Sequence, residues 1–214
     1  MKIVVSYINS IYDSYKTIQK IDECSAAYGI HVDLMDGLYV PNKNFEIRWL
    51  PSLFKNTTKP LDIHLMTNKP TKYFNTLFSL KPECIYIHPH TESDPVLVFK
   101  YLQEYGIKPG LVINPQESIS EFSEYFPYVK RVLLMSVTPG AGGQTFLENT
   151  PERLTELKKW QAKYAFEIFI DGGINSDTIK LFSAADGVVS GSFVCKSTDF
   201  NSQIIKLKNN LKIK

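Results

Sequence analysis

Two histidines and two aspartates stand where they could share one ion. His31 and Asp33 are separated by a single residue, His64 lies in the run LDIHLM, and Asp171 closes the run EIFID. Side chains on a strand alternate between faces, so His31, Asp33 and Met35 share one face of IHVDLM, with Val32 and Leu34 on the other. Likewise Asp62, His64 and Met66 oppose Ile63 and Leu65. If the aliphatic faces pack outward, the polar faces point inward, where burial is costly unless the groups bind something. A lone histidine on a strand is more often a satisfied core residue than a ligand. Two strands carrying His or Asp at matching depth, with an Asp at a third strand end, argue instead for a metal site. Two imidazoles and two carboxylates suit Zn²⁺, Fe²⁺, Mn²⁺ or Co²⁺.

The elements that must position these residues are legible as short β-branched runs. They fall near residues 2–6, 30–35, 61–66, 84–88, 109–114, 132–137, 167–171 and 186–190. Runs of this length, bounded by Gly, Pro or Asn, are expected to be strands buried on both faces. Between them lie amphipathic segments. Residues 151–164 put Leu154, Leu157, Trp160 and Tyr164 on one stripe, and Pro151 suits a first helical turn. Residues 202–211 align Ile204, Leu207 and Leu211, and 93–105 opens with Ser93 and Asp94 as caps before Pro95. Strands alternating with helices imply parallel pairing with right-handed crossovers. An open doubly wound sheet competes, but eight even repeats in 214 residues favour a single-domain α/β fold of the closed (β/α)8 TIM-barrel kind over residues 1–214.

In such a barrel the catalytic face lies at the C-terminal ends of the strands. Ser6, Asp33, His64, His88, Asn114, Ser136, Asp171 and the pair Gly191-Ser192 all fall at or near those ends. GGQ at 142–144, DGG at 171–173 and GS at 191–192 could be ordinary turns. Two of them follow the seventh and eighth strands, where many barrels bind phosphate with backbone N–H groups. Met35, Met66 and Met135 would ordinarily be core filler, yet all three are expected to face the barrel near the polar cluster. His88 and His90 have no clear partner in the sequence and are expected to be structural or to sit at the rim.

Bulk properties exclude several classes. Net charge is +2, too small for a nucleic-acid surface, and the aromatic residues form no stacking platform. The lysines of Lys206–Lys214 are expected to lie on a solvated final helix. The apolar fraction of 43% is ordinary for a globular chain and sufficient for a core without disulfides. Three widely spaced cysteines, Cys24, Cys84 and Cys195, point to a reducing compartment. The apolar run near the start is too short for a secretory signal, and no stretch approaches a membrane span, so a cytoplasmic location is expected.

The motifs themselves resemble those of the ribulose-phosphate 3-epimerase family. HVDLMDGLYVPN at 31–42 is similar to that family's HxDxMDGxFVPN signature, and MSVTPGAGGQTF at 135–146 to its MSVxPGxGGQ motif. LDIHLM, IDGGIN at 170–175 and VVSGSFV at 188–194 resemble its other motifs in order, and VSYINS at 5–10 looks like a worn form of its opening PSILSAD. The resemblance implies a (β/α)8 barrel holding a divalent metal (Zn, Fe, Mn or Co) on His31, Asp33, His64 and Asp171. It implies Asp33 and Asp171 as the acid/base residues and Ser6 as a substrate contact, with Gly142, Gly143, Gly173, Gly191 and Ser192 around the phosphate. His64 and the three methionines would line the same site.

Three positions depart from the family pattern: Val5 for Pro, Thr138 for Asn, and Ala141 for Phe in the loop that closes over substrate. Parts of the chain, such as KPLDIHLMTNKPTKYF, are at least as close to the allulose-6-phosphate 3-epimerase branch. Related decarboxylases and synthases carry a Lys in an Asp-x-Lys-x-x-Asp pattern; Asp33-Leu34-Met35-Asp36 has none. The expected activity is therefore epimerisation at carbon 3 of a ketose phosphate, ribulose 5-phosphate first and allulose 6-phosphate second, or else a non-catalytic phosphosugar-binding barrel. The chemistry needs no organic cofactor. The expected partners are the small phosphorylated ketose and further copies of the chain, with no nucleic acid and no membrane.

Overall fold

The structure is a computed structural model describing residues 1–44 and 47–211. Eight parallel strands close into a barrel in chain order. They are β1 (Lys2–Ser6), β2 (Gly29–Met35), β3 (Leu61–Met66), β4 (Cys84–Ile87), β5 (Lys108–Ile113), β6 (Arg131–Met135), β7 (Glu167–Asp171) and β8 (Gly187–Val189). Every expected run is a strand, and β8 pairs back onto β1.

The α-helices are α1 (Ser14–Glu23), α2 (Leu50–Leu53), α3 (Phe74–Phe78), α4 (Pro95–Glu104), α5 (Thr150–Tyr164), α6 (Ser192–Cys195) and α7 (Phe200–Asn210). Local chemistry sets their starts. Asp13, Asp94 and Asp199 accept from the backbone N–H of Lys16, Leu97 and Ser202, which satisfies an orphan donor at each helix start. Pro95 and Pro151 occupy first turns, where a missing N–H costs nothing. Helix α7 starts two residues earlier than its apolar stripe predicts and carries Lys206 and Lys208; Lys212 and Lys214 lie outside the described residues.

Strict alternation of strands with α-helices does not hold everywhere. Between β5 and β6, and between β7 and β8, the chain makes only 3-10 turns: Ile119–Phe122, Phe126–Tyr128 and Ile179–Phe182. These connections are short, and Pro127 removes a donor from the first. They still cover the barrel, because Ile119, Phe122, Phe126, Ile179 and Phe182 are buried against it.

Two apolar layers follow from the strand period of two. The outward residues, such as Val32, Leu34, Ile63 and Leu65, join the shell between strands and helices. Inside the barrel, Val4, Tyr86, Val112, Leu133, Phe169 and Val189 form a separate cluster. Parallel register then sets polar residues side by side: Ser6 beside His31, Asp33 beside His64, Met35 beside Met66, and Met135 beside Asp171.

Candidate active site

At the C-terminal mouth lies a pocket of about 340 Å³. Its floor and walls include Ser6, Asp33, His64 and Asp171, the three methionines Met35, Met66 and Met135, and Gly142, Gly143, Gly173, Gly191 and Ser192. Every site residue expected from the sequence therefore lines one cavity, except His31. That ring is wholly buried just beneath it.

The polar core is tight. His31 Nε2 lies 3.3 Å from Asp33 Oδ1 and 3.8 Å from Asp171 Oδ2. His64 Nδ1 lies 3.2 Å from the same Asp33 Oδ1, and Ser6 Oγ donates to Asp33 Oδ2 at 2.9 Å. One ligand atom from each of His31, Asp33, His64 and Asp171 lies within 4.8 Å of the others, a group that could hold a metal ion. Both ring nitrogens of His31 are buried without a hydrogen-bond partner. Such orphans are rare and costly, and a ligated cation would satisfy one of them. The residues fit a divalent ion.

Electrostatics shows the same strain. Burial opposes the charge on His31, but Asp33, and then Asp171 and Asp62, outweigh it and lift the imidazolium to about 9. Burial also opposes ionisation of Asp33, yet His31 and His64 hold its carboxyl well below the usual range. Asp171 goes the other way: burial, reinforced by Asp33, pushes it up to about 7. Two carboxyl groups with separated pKa values are the arrangement expected of an acid and a base.

The glycines shape the rim. Gly173 has φ +62°, and a Cβ there would stand 2.7 Å from the Phe146 backbone nitrogen, so only glycine lets the turn after β7 press against that loop. A Cβ on Gly142 would collide with the Asn9 side chain. The loop carrying Gly142 is held by Gln144 Nε2, which donates to the carbonyls of Thr138 and Ala141 at 2.7 Å each, and by Asn42 Nδ2, which donates to Gly140 O at 2.6 Å. No Lys or Arg is among the described residues lining the pocket.

Sequence reasoning missed part of the site. His88 is wholly buried, and its Nε2 lies 2.9 Å from His64 Nε2. Tyr39, from the loop after β2, meets His88 Nδ1 at 2.9 Å and accepts from Asn114 Nδ2 at 3.0 Å. Only His90 is at the rim, exposed and 3.6 Å from Glu117. The visible signal was Asn114 at the end of the fifth strand; nothing local told that Tyr39 folds back onto it. Asn9, within VSYINS, and Gln144, of the GGQ turn, also line the pocket.

Fold and mouth together define a (β/α)8 barrel with a polar pocket at the C-terminal ends of its strands. Structural likeness agrees on the fold: a 3-keto-L-gulonate-6-phosphate decarboxylase from Vibrio cholerae superposes with a TM-score of 0.73 at 11% identity, covering 98% of this chain and 96% of that one. A 3-hexulose-6-phosphate synthase gives 0.68 at 14% identity, covering 98% and 99%. The sequence goes further. Residues 4–195 match the ribulose-phosphate 3 epimerase family, and the chain belongs to that family of isomerases. It is 35% identical to a ribulose-phosphate 3-epimerase from Helicobacter pylori over 98% of this chain and 97% of the relative. It is 36% identical to one from Aquifex aeolicus, over 84% and 83%. No helix among the described residues is long and apolar enough to cross a membrane.

Proposed function

We propose that the chain interconverts D-ribulose 5-phosphate and D-xylulose 5-phosphate by epimerisation at carbon 3. In this reading His31, Asp33, His64 and Asp171 hold a divalent metal, and Asp33 and Asp171 are the acid/base pair. The observation that carries it is the meeting of two oppositely shifted carboxyls and two imidazoles, within 4.8 Å, at the floor of one pocket. The curated relatives named above, all ribulose-phosphate 3-epimerases, support the pentose over the hexose.

Carbon 3 is acidified by the neighbouring carbonyl. One carboxylate removes its proton, and a second carboxylic acid must return a proton to the other face. Asp33 on β2 and Asp171 on β7 are separated by β8 and β1 around the barrel, so they approach a substrate in the mouth from different directions. Ser6 donates to Asp33 Oδ2, which fixes that carboxylate and leaves its other oxygen toward His31 and His64. When bound, a divalent ion supplies Lewis-acid stabilisation for the negative charge that develops on the carbonyl and neighbouring hydroxyl oxygens. Met35, Met66 and Met135 give carbon 3 an apolar, water-poor surround, which strengthens these electrostatic effects. With no Lys or Arg among the described residues of the wall, the phosphate is held by backbone groups around Gly142, Gly143, Gly173, Gly191 and Ser192. Anchoring that remote group orients carbon 3 between the two acids.

Turnover of metal-loaded protein on ribulose 5-phosphate and on allulose 6-phosphate tests the reading. The pentose should be preferred. A strong preference for the hexose would overturn the substrate assignment. Binding of both sugars without exchange of the carbon 3 proton into deuterated water would mark a non-catalytic barrel.

A further inference from the structure

The three hydrogen bonds that run outward from Asp33 have a direction, and the Asp33 carboxylate fixes it, because it can only accept from His64 Nδ1, 3.2 Å away. The Asn114 backbone N–H donates to Glu117 Oε2 at 2.7 Å, and Asn114 Nδ2 donates to Glu117 Oε1 at 3.0 Å. A carboxylate only accepts, so the Asn114 amide cannot be turned round. Its Nδ2 therefore also donates to Tyr39 Oη, at 3.0 Å. Accepting from Asn114 leaves the Tyr39 hydroxyl hydrogen free to be donated to His88 Nδ1, 2.9 Å away. A neutral imidazole has one donor and one acceptor nitrogen. With Nδ1 donating to Asp33, His64 accepts at Nε2 from His88 Nε2, and His88 in turn accepts at Nδ1 from Tyr39. Both rings are fully buried.

This direction is wrong for a ligand. His64 faces the other three donors with Nδ1, the atom that carries the proton in this arrangement. A coordinating nitrogen needs its lone pair free.

We propose that His88 and Tyr39 are positioning residues that set which ring nitrogen of His64 carries its proton, and that this relay reverses when a divalent cation occupies the site. It rests on the metal site proposed above. In the reversed state His64 donates from Nε2 to His88 Nε2, and His88 donates from Nδ1 to Tyr39 Oη. Tyr39 then accepts from both His88 and Asn114, and because its ring is only partly buried it can turn its released hydrogen toward solvent. The relay carries the same number of protons in both states; only their positions change. Outer partners of metal-bound histidines commonly act in this way, fixing tautomer and ring orientation. Here the partner is a second histidine whose own tautomer must switch. Tyr39 sits on the segment 36–44, whose Asn42 holds Gly140 of the opposite loop, so the relay also ties the ligand to the pocket's covering loops.

The experiment is a long-range proton–nitrogen NMR spectrum of protein labelled with ¹⁵N-histidine, recorded metal-free and after adding Zn²⁺. The relay predicts Nδ1–H on His64 and Nε2–H on His88 without metal, and both exchanged with Zn²⁺ bound. Calorimetry adds a second readout. His88→Leu leaves the His64 Nε2–H without an acceptor and should weaken Zn²⁺ binding by roughly 10–100-fold. His88→Gln, whose side-chain carbonyl can accept that hydrogen, should recover most of the loss. Zn²⁺ binding with the His88 tautomer unchanged, or with wild-type affinity in folded His88→Leu, would overturn the relay alone. No Zn²⁺ binding by the wild-type chain would overturn the metal site and the relay together. Should His88→Leu fail to fold, the wild-type spectra decide by themselves.

Discussion

The two ends of this barrel bury charge in opposite ways. At the N-terminal end, wholly buried Arg131 places Nη1 2.7 Å from Asp62, Nη2 3.0 Å from Glu83 and Nε 2.8 Å from Glu167. Lys108 pairs with Glu83 at 2.8 Å and Lys2 with Glu167, so three acids meet three bases. The guanidinium also lies over the Phe169 ring, 4.6 Å from its centroid. At the C-terminal end Asp33 and Asp171 meet no Lys or Arg among the described residues lining the pocket. Imidazoles offset them instead, and the result is an imidazolium lifted to about 9 and a carboxyl pushed up to about 7. At the base, Lys and Arg pair with the acids. At the mouth two carboxyls face imidazoles instead, a group that could hold a metal ion.

Substitutions at the mouth should act on chemistry, and the largest effect is expected there. Asp171→Asn keeps the shape but cannot exchange a proton as a carboxyl does. Epimerisation of ribulose 5-phosphate should fall by roughly 10²–10⁴-fold, the usual worth of a positioned acid or base. Metal analysis of the same variant separates proton transfer from ligand loss. Turnover near that of the wild type would mean that the two ends differ in charge but not in role.

Substitution at the base should act on stability. Arg131→Met leaves Asp62, Glu83 and Glu167 short of their shared partner and should cost about 3–5 kcal/mol in urea unfolding. Burial already holds Asp62 up at about 6 against the pull of Arg131, so this acid has little to lose before it takes a proton. Activity per folded molecule should be nearly unchanged. A stable but inactive Arg131→Met would blur the contrast between the ends.

The smallest effect, taken per unit of pH, is a change in metal affinity. His31 titrates at about 9 in the metal-free chain, so below that pH it is protonated and a metal must displace its proton. Asp171 adds a second proton below about 7. Affinity for Zn²⁺ should therefore rise with pH, by about tenfold per unit between those values and more steeply below them. Calorimetric titrations at several pH values read this directly. An affinity that stays flat from pH 6 to 9 would show that the mouth carries no displaceable proton.

Much of this contrast was legible in the sequence. A period of two puts His31, Asp33 and His64 on inward faces, and the β-branched runs mark all eight strands. The order of the motifs then brings Ser6, the methionines and the glycine turns to one end. What was not legible depends on contacts across the fold. Tyr39 meets His88 only because the segment after β2 folds over the mouth, joining residues 49 positions apart. Arg131 reads as a polar start to an apolar run until the register brings Glu167 beside it and closure brings Asp62 within reach. The missing α-helices after β5 and β7 reflect tertiary packing, since short turns with Ile119, Phe126 and Phe182 cover the strands well enough. Helix propensity alone does not reveal that.

The most direct test of the central claim is to strip the purified chain of metal and follow conversion of ribulose 5-phosphate to xylulose 5-phosphate before and after restoring a divalent ion. The same ligand set suits Zn²⁺, Fe²⁺, Mn²⁺ and Co²⁺, so each is added separately. The stripped protein should remain folded, because a barrel of 214 residues does not depend on the ion as a small zinc domain does. It should be inactive, and at least one of the four ions should restore turnover. Full turnover in rigorously metal-free protein would contradict the account and leave the orphaned His31 Nε2 without a purpose.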